Sequence, residues 1–292
     1  MYHSISQTQV TQFVCGGFTV GIKFNHAVFD GIGAAQFVQA VSEEARGLAA
    51  PTIKPIWCRE SIPNPPKLPR EPQTPATFKF ERHVVDISMN CINQAKHQFT
   101  AATGQKCSVF EIVAAKIWQC RTRAISLDED VDQVTLSFPA NVRREIGNLL
   151  GHKEGYYGNC IHHVVIQAPS LRVAGAPLTE LVGLIGEAKK GLPAKFMRWM
   201  KGDLSEEETP KLGQRYALLD LSDWRRLGFF EVDYGWGTPV HVVPANEGVK
   251  VGSCIFLNPP APRMGVRLMT HCAVEQHFKA FCEEMEKWAC VP

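Results

Sequence analysis

The sequence predicts an α/β fold with mixed sheets (α+β), on three observations. Apolar and polar side chains alternate through residues 18–24, as in a half-buried strand, and residues 34–48 change to the apolar spacing of a helix closing near Gly47. Ser108–Glu111 has the pattern of a capping box, which marks the start of another helix. Apolar stretches at 134–140 and 160–167 then read as strands, so both element types intermix along the chain.

The remaining elements follow from the same periodicities. The spacing of Leu178, Leu181, Val182 and Ile185 predicts a further helix. We expect short strands near 239–243, 251–257 and 265–270, and a last amphipathic helix carrying Phe278, Phe281, Met285 and Trp288. Residues 63–75 hold six prolines, which fix φ and lack a backbone donor, so this segment is predicted to be an extended connector between two lobes.

Composition excludes several classes of function. The chain has 292 residues, 45% of them hydrophobic and 21% charged, with a net charge of +2, so no broad basic surface for nucleic acid or anionic membrane is expected. No signal peptide and no long uncharged apolar stretch is visible, so we expect no membrane partner. None of the ten cysteines forms a CxxC pair, and several lie in apolar runs, which favours a reducing, cytoplasmic location.

The stretch FNHAVFDGIGAAQF at the predicted strand-to-helix junction has three interpretations. His26 is an ordinary histidine beside a turn, or Gly31 and Gly33 belong to a dinucleotide-binding loop, although that motif's third glycine and distal acid are missing. In the third interpretation His26 is a general base, because a neutral imidazole accepts a proton from a hydroxyl. Asp30 would then fix the turn or orient the ring, within a tight turn that Gly31 permits. HxxxD alone does not choose among them.

A second motif decides the question. FNHAVFDG and the later VDYGWG (232–237) resemble the HxxxD and DFGWG motifs of the BAHD acyltransferases of plants, in the same order and at comparable separation. PIWCRE, KEGYYGNCIHHV and LSDWRRLGFFEVDYGWG resemble further segments of that family, so the similarity covers essentially all of the chain. The sequence is therefore identified as a member of this family.

The resemblance implies a two-domain chloramphenicol acetyltransferase-like fold whose first domain is incomplete, because family members have many more residues before the histidine motif. It implies that residues 1–67 are a remnant of the N-terminal domain, joined by a returning segment at about 234–258. Residues 68–79 would be the interdomain crossover and residues 80–292 the C-terminal domain. We expect a fragment, a splice form or an incomplete gene sequence.

The family transfers an acyl group from acyl-CoA to an alcohol or amine, and the resemblance assigns roles accordingly. His26 would be the general base in a channel between the domains, and the indole N–H of Trp236 the donor to the oxyanion. Asp30 would hold the turn rather than relay a proton, and Asp233 would pair with Arg143. Gly235 and Gly237 would allow close backbone approach. Contacts with substrate or CoA are implied for three more residues: Ser222, Trp224 and Asn159.

These implications give the predicted function: an acyl-CoA-dependent O-acyltransferase acting on a plant alcohol, with a hydroxycinnamoyl, benzoyl or acetyl group as the acyl moiety. Acyl-CoA is a cosubstrate, and we expect no cofactor, no metal and a monomer. The histidines at 162, 163, 271 and 277 lack a ligand spacing that would favour a metal site. An inactive remnant that acts as a binding module is the alternative. An unrelated hydrolase is disfavoured because no GxSxG motif is present.

Overall fold

The structure is a computed structural model that describes residues 6–62, 78–125, 133–150, 154–203, 215–245 and 251–289. It contains eight strands and six α-helices within these ranges, and two short 3₁₀ turns that bear on the site lie at Arg59–Ser61 and Phe229–Glu231. The strands are β1 Ser6–Gln12, β2 Phe18–Phe24, β3 Phe80–Ser88, β4 Gln133–Asn141, β5 Ile161–Pro169, β6 Leu218–Asp223, β7 Gly252–Leu257 and β8 Gly265–Val274. The helices are α1 Gly31–Ala45, α2 Met89–Thr103, α3 Val109–Ala124, α4 Ser170–Gly175, α5 Leu178–Lys201 and α6 Glu275–Ala289.

Two sheets of very different size organise these elements. Strands β1 and β2 form an antiparallel two-stranded sheet, and the other six strands form one mixed sheet in the order β3-β8-β7-β6-β4-β5. Strand β6 runs parallel to both β4 and β7, whereas the remaining pairs are antiparallel. The predicted class of α/β with mixed sheets is therefore confirmed.

One face of the large sheet carries the main core. Helices α2, α3, α5 and α6 pack there, and α3 contacts the three other helices. Trp118 on α3 and Phe281 on α6 are fully buried, together with Leu219 and Leu221 on β6. Burying side chains of this size stabilises the fold by about 1.5–3 kcal/mol each.

A buried arginine ties this core together. Arg121 on α3 is almost fully buried, and its guanidinium donates to the backbone carbonyl oxygens of Cys272, at 2.7 Å, and Tyr216. Carbonyl acceptors of this kind are what a buried charged donor requires. Helix α3 is thereby linked to β8 and to the segment that precedes β6.

Most predicted elements are confirmed, with two corrections. Residues 239–243 were predicted to form a strand but have none, because Pro239 and Pro244 remove donors from that short stretch. Residues 252–257 were assigned to the segment returning to the N-terminal part, but they form β7 between β6 and β8, where their apolar side chains are buried. The proline-rich segment 63–75, and most of the crossover at 68–79, lie outside the described residues.

The capping box of α3 gives a test of the fold. The Ser108 hydroxyl accepts from the Glu111 backbone N–H at 3.2 Å, and the Glu111 carboxylate accepts from the Ser108 N–H. Ser108→Ala should lower the free energy of unfolding by about 1 kcal/mol, because one helix-terminal donor loses its acceptor. Urea denaturation measures this, with Gln105→Ala in the exposed preceding loop as control; equal midpoints for the two variants would contradict the assignment.

Candidate active site

The turn between β2 and α1 presents His26 at the surface. Asn25 starts this turn: its side-chain oxygen accepts from the Ala27 N–H at 2.9 Å, and its carbonyl accepts from the Val28 N–H at 3.0 Å. Phe29 then enters the core and anchors the turn. The imidazole of His26 is exposed and makes no hydrogen bond to another described residue, so both ring nitrogens are accessible to a substrate.

Asp30 lies behind this turn, at the N-cap of α1. Its side chain is 2% exposed, and Oδ1 accepts from the Gly33 N–H at 3.0 Å. The guanidinium of Arg143 donates to both carboxylate oxygens, each at 2.9 Å, and the Cys160 N–H donates to Oδ2 at 3.0 Å. Four donors therefore occupy the carboxylate, and Asp30 has no hydrogen bond to His26. This geometry places Asp30 in a structural position and not in a proton relay.

The partner of Arg143 is a correction to the sequence-based prediction. Arg143 was expected to pair with Asp233, but its guanidinium binds Asp30 and also donates to the carbonyls of Tyr156, at 3.2 Å, and Gly158, at 2.9 Å. The cation close to Asp233 is Arg46 at the end of α1. A bidentate guanidinium pair needs a fixed, planar approach, which the buried Asp30 provides.

The loop at 233–237 is folded around its own carboxylate. Oδ1 of Asp233 accepts from the backbone N–H groups of Gly235, at 2.7 Å, and Gly237, at 2.9 Å, and the hydrogen bond from Gly235 is the main cause that lowers the pKa of Asp233. Both glycines have positive φ, +104° and +92°. They were expected to allow close backbone approach, but a side chain at Gly237 would meet nothing within 4 Å. Backbone conformation explains these glycines.

Trp236 is not brought to His26. Its side chain is 79% exposed and makes an edge contact with Phe18, with ring centroids 5.3 Å apart. Phe18 begins β2 and Phe24 ends it, about 20 Å along a strand, and the His26 ring contacts Phe24. The indole therefore lies outside hydrogen-bonding reach of His26. The geometry does not support the role of oxyanion donor that the resemblance implied.

The segment GYYGN at 155–159 supports the turn from the opposite side. The side-chain amide of Asn159 donates to the backbone carbonyl of His26 at 2.8 Å, and Gln36 on α1 donates to the Gly155 carbonyl at 3.1 Å. A Cβ at Gly33 would lie 1.9 Å from the Tyr157 carbonyl, so only glycine fits there. Asn159, predicted to contact substrate or CoA, thus holds the backbone of the candidate base.

Sequence reasoning missed the role of Gly33. It gave Gly31 the task of allowing the turn, yet Gly31 does not have a positive φ and is simply the first residue of α1. A Cβ at Gly31 would meet the flexible side chain of Leu227 at 2.8 Å, whereas one at Gly33 would meet backbone. The GIG pattern was visible, but the carbonyl that approaches Gly33 is 124 positions away in the sequence.

Ser222 and Trp224 lie at the end of β6 and contact each other. The indole N–H of Trp224 donates to the Ser222 hydroxyl at 3.1 Å, and the Trp224 backbone N–H donates to the Phe256 carbonyl at 2.9 Å. The Trp224 ring packs against the small cluster of Ile255, Leu257 and Met269. Trp224 is therefore held by packing, and both residues remain half-buried.

A cavity of about 730 Å³ lies beside α1, and His26 is not among the residues that line it. Its lining includes Ile32, Gln36, Arg143, Tyr156, Leu227 and Glu231. The guanidinium of Arg143 already binds Asp30 and two backbone carbonyls, so it is not free to bind an anion in the cavity. The cavity and the exposed imidazole are separate features.

Metal and membrane sites receive no support within the part of the chain that the structure describes. No group of three or more histidine, cysteine or acidic side chains is arranged to hold a metal ion. The ring of His162 packs against Phe196 and Trp199, which accounts for it as a core-edge residue. Among the described helices, none has the length and apolar character to cross a bilayer.

The ion pair behind the turn yields a stability prediction. Asp30→Asn removes the charge that neutralises Arg143, whose side chain is only 17% exposed, and should lower the free energy of unfolding by about 3 kcal/mol. Asp233→Asn is the matched control: the amide oxygen can still accept from the loop N–H groups and no buried ion pair is lost, so a clearly smaller loss is expected. Chemical denaturation of both variants measures the two losses in the free energy of unfolding. Similar losses would contradict the assignment of Asp30–Arg143 as the central pair.

The chain resembles known proteins over nearly its whole length. A family profile described as "Transferase family" matches residues 3–288. Acyl transferase 4 of Oryza sativa subsp. japonica is 44% identical over 288 residues, which are 95% of this chain and 65% of that protein. Myricetin 3-O-glucosyl 1,2-rhamnoside 6'-O-caffeoyltransferase AT2 of Crocosmia x crocosmiiflora is 43% identical over 95% of this chain and 67% of its own length. The chain thus spans about two thirds of these curated relatives.

Solved structures agree in fold. Vinorine synthase matches with a TM-score of 0.71 and 16% identity, over 94% of this chain and 64% of that one. F. sporotrichioides TRI101, complexed with coenzyme A and T-2, matches with a TM-score of 0.71 and 17% identity, over 97% of this chain and 69% of that one. Because the profile spans nearly the whole chain and the relatives exceed 40% identity, the chain belongs to the Transferase family of plant acyltransferases, the BAHD family.

Proposed function

We propose that this protein transfers an acyl group from acyl-CoA to an alcohol, with His26 as the general base. The observation that carries the proposal is the geometry of the turn after β2: the backbone of His26 is fixed by the Asn159 amide, while its imidazole makes no hydrogen bond to any other residue that the structure describes. A base must keep its ring nitrogen available for the substrate proton and hold its position at the same time. The family's relatives, which are named as acyl transferases, support the reaction class.

In this mechanism the ring nitrogen of His26 takes the proton of the acceptor hydroxyl as its oxygen attacks the thioester carbonyl. The tetrahedral intermediate then expels CoA, and the protonated imidazole returns the proton to the departing thiolate. Asp30 keeps the turn in place through Arg143 and Gly33 but exchanges no proton. No cofactor takes part in this sequence, because acyl-CoA carries the activated group.

The nature of donor and acceptor is part of the proposal. Relatives are named as a caffeoyltransferase acting on a flavonol glycoside and as 3'-N-debenzoyl-2'-deoxytaxol N-benzoyltransferase of Taxus canadensis, the latter 33% identical over 95% of this chain. These names favour a hydroxycinnamoyl or benzoyl donor over acetyl. The O-caffeoyltransferase, which is the more similar of the two, favours an alcohol as acceptor, whereas the N-benzoyltransferase acylates nitrogen. A TRI101 structure with bound coenzyme A supports the CoA thioester as donor. We place the protein in the cytoplasm, in keeping with the free cysteines among the described residues, and we propose that it acts as a monomer.

A non-catalytic binding module is the second candidate, favoured by one observation. The β1–β2 hairpin buries little of its surface: Val10, Phe13 and Val14 are exposed, as is Trp236 beside it. Contiguous exposed apolar surface marks an interaction site in many proteins. A folded protein that binds CoA or alcohols without turnover would fit this candidate.

The base assignment is tested by removing the imidazole. His26→Ala should lower the rate of free thiol release from caffeoyl-CoA or benzoyl-CoA, in the presence of an alcohol, by about a hundredfold to ten-thousandfold. His97→Ala is the control, because His97 is an exposed histidine on α2 far along the chain from the turn. Equal turnover by His26→Ala and wild type would refute the assignment, and a folded wild type without thiol release would favour the binding module.

The backbone support of His26 is tested separately. Asn159→Ala removes the donor to the His26 carbonyl, and a small displacement of a catalytic group can lower kcat by about a hundredfold. We expect kcat to fall by roughly tenfold or more, with little change in KM. Asn93→Ala on the exposed side of α2 is the control. A rise in KM at constant kcat would instead assign Asn159 to substrate binding.

A further inference from the structure

The large sheet has a second face that the core helices do not cover, and this face is polar at β4, β5 and β6. Along β6, Leu219 and Leu221 are fully buried under the helices, whereas Asp220 and Ser222 point to the other side and are half-buried. Alternate strand residues lie on opposite faces, so Asp220 shares its face with Ser222. Polar side chains on an uncovered sheet face are suited to water or to a polar ligand.

Three side chains form a cluster on this face, in which a serine and an aspartate lie beside the imidazole of a histidine. Ser137 on β4 is the direct neighbour of Asp220 on β6, and its hydroxyl lies 3.1 Å from Nδ1 of His163 on β5. The same nitrogen lies 3.9 Å from Oδ1 of Asp220. Burial raises the pKa of Asp220, while His163 and the hydrogen bond from Ser137 act in the opposite direction. The His163 side chain itself is 51% exposed.

The arrangement leaves Nε2 of His163 facing outward and favours one tautomer of the ring. A hydroxyl and a carboxylate beside Nδ1 favour the proton on that nitrogen, since Nδ1–H then donates to an oxygen. Nε2 is left as an acceptor directed away from the cluster. The cluster is not a nucleophilic triad, because serine and aspartate meet the same nitrogen and Ser137 is buried.

His163 is connected to the candidate active site through the segment that carries Asn159. Asn159, whose amide contacts the His26 carbonyl, precedes His163 by four residues, so their Cα atoms are at most about 14 Å apart. Ser222, on the same face as Asp220, lies at the end of β6 that leads to Trp224. An acceptor that reaches both histidines must therefore extend from the turn after β2 across this end of the sheet to His163.

We propose that His163 is a specificity-determining residue, whose Nε2 accepts a hydrogen bond from a second hydroxyl of a polyhydroxylated acceptor such as a sugar-bearing phenol. The proposal rests on the proposed acyltransferase function and adds the recognition of the acceptor. Ser137 and Asp220 are the positioning residues that fix the ring. An alcohol with a single hydroxyl has no group for His163 and should be insensitive to it.

Binding without turnover tests this inference independently of catalysis. Isothermal titration of the wild-type protein with quercetin 3-O-glucoside and with benzyl alcohol gives the two affinities. His163→Ala should weaken glucoside binding by about fivefold to tenfold, the loss expected for one neutral hydrogen bond, and leave benzyl alcohol binding unchanged. Gln167→Ala, a polar position on the same side of β5, is the control and should leave both unchanged.

The tautomer gives a second measurement that a merely structural role would not move. Long-range ¹⁵N–¹H spectra should show His163 protonated on Nδ1, and its Nε2 resonance should shift when the glucoside is added but not with benzyl alcohol. Unchanged glucoside affinity in His163→Ala, no glucoside binding by wild type, or a proton on Nε2 would each overturn the proposal. If the wild-type protein binds the glucoside but releases no thiol from acyl-CoA, the proposed function alone is refuted.

Discussion

The ion pair between Asp30 and Arg143 is the constraint on which the candidate site depends. The Asp30 carboxylate starts α1, through its cap on Gly33, and binds the Cys160 N–H just before β5. Arg143 extends the same contact to the carbonyls of Tyr156 and Gly158. One buried pair thus joins the helix after β2 to the segment between β4 and β5. A charge pair with saturated partners is costly to break, so these elements are held in one arrangement.

This rigid back surface explains how an exposed side chain can still be well positioned. The backbone of His26 is fixed by the Asx turn at Asn25 and by the amide of Asn159, while the ring projects outward. Had Asp30 been hydrogen-bonded to the imidazole, the carboxylate would have lost a donor from α1 or from Arg143. The chemistry of the turn therefore separates its support, which is buried, from its reactive group, which is accessible.

Local features could be predicted from the sequence, and contacts between distant segments could not. The period-two spacing predicted β2, the helical spacing predicted α1, and the serine and glutamate three residues apart predicted the capping box of α3. All three depend only on neighbours in the chain. The partner of Arg143 lies 113 positions away, and residue type alone cannot choose between Asp30 and Asp233. The family resemblance implied that Trp236 donates a hydrogen bond to the oxyanion, yet the position of this side chain depends on how the loop at 233–237 packs beside β2. Both failures concern tertiary packing, which no local pattern contains.

The two imidazoles near this end of the sheet are held in opposite ways, and the difference follows from what surrounds each nitrogen. The His26 ring makes no hydrogen bond to another residue that the structure describes, so its nitrogens are open to substrate and solvent. The His163 ring is oriented by Ser137 and Asp220, which both lie beside Nδ1 and leave Nε2 on the other side of the ring. A free imidazole suits proton transfer, whereas an oriented one suits recognition, because a fixed acceptor discriminates by the direction of the incoming hydroxyl. Because the two histidines lie on separate segments, a substitution at His163 on β5 should leave the turn that carries His26 undisturbed.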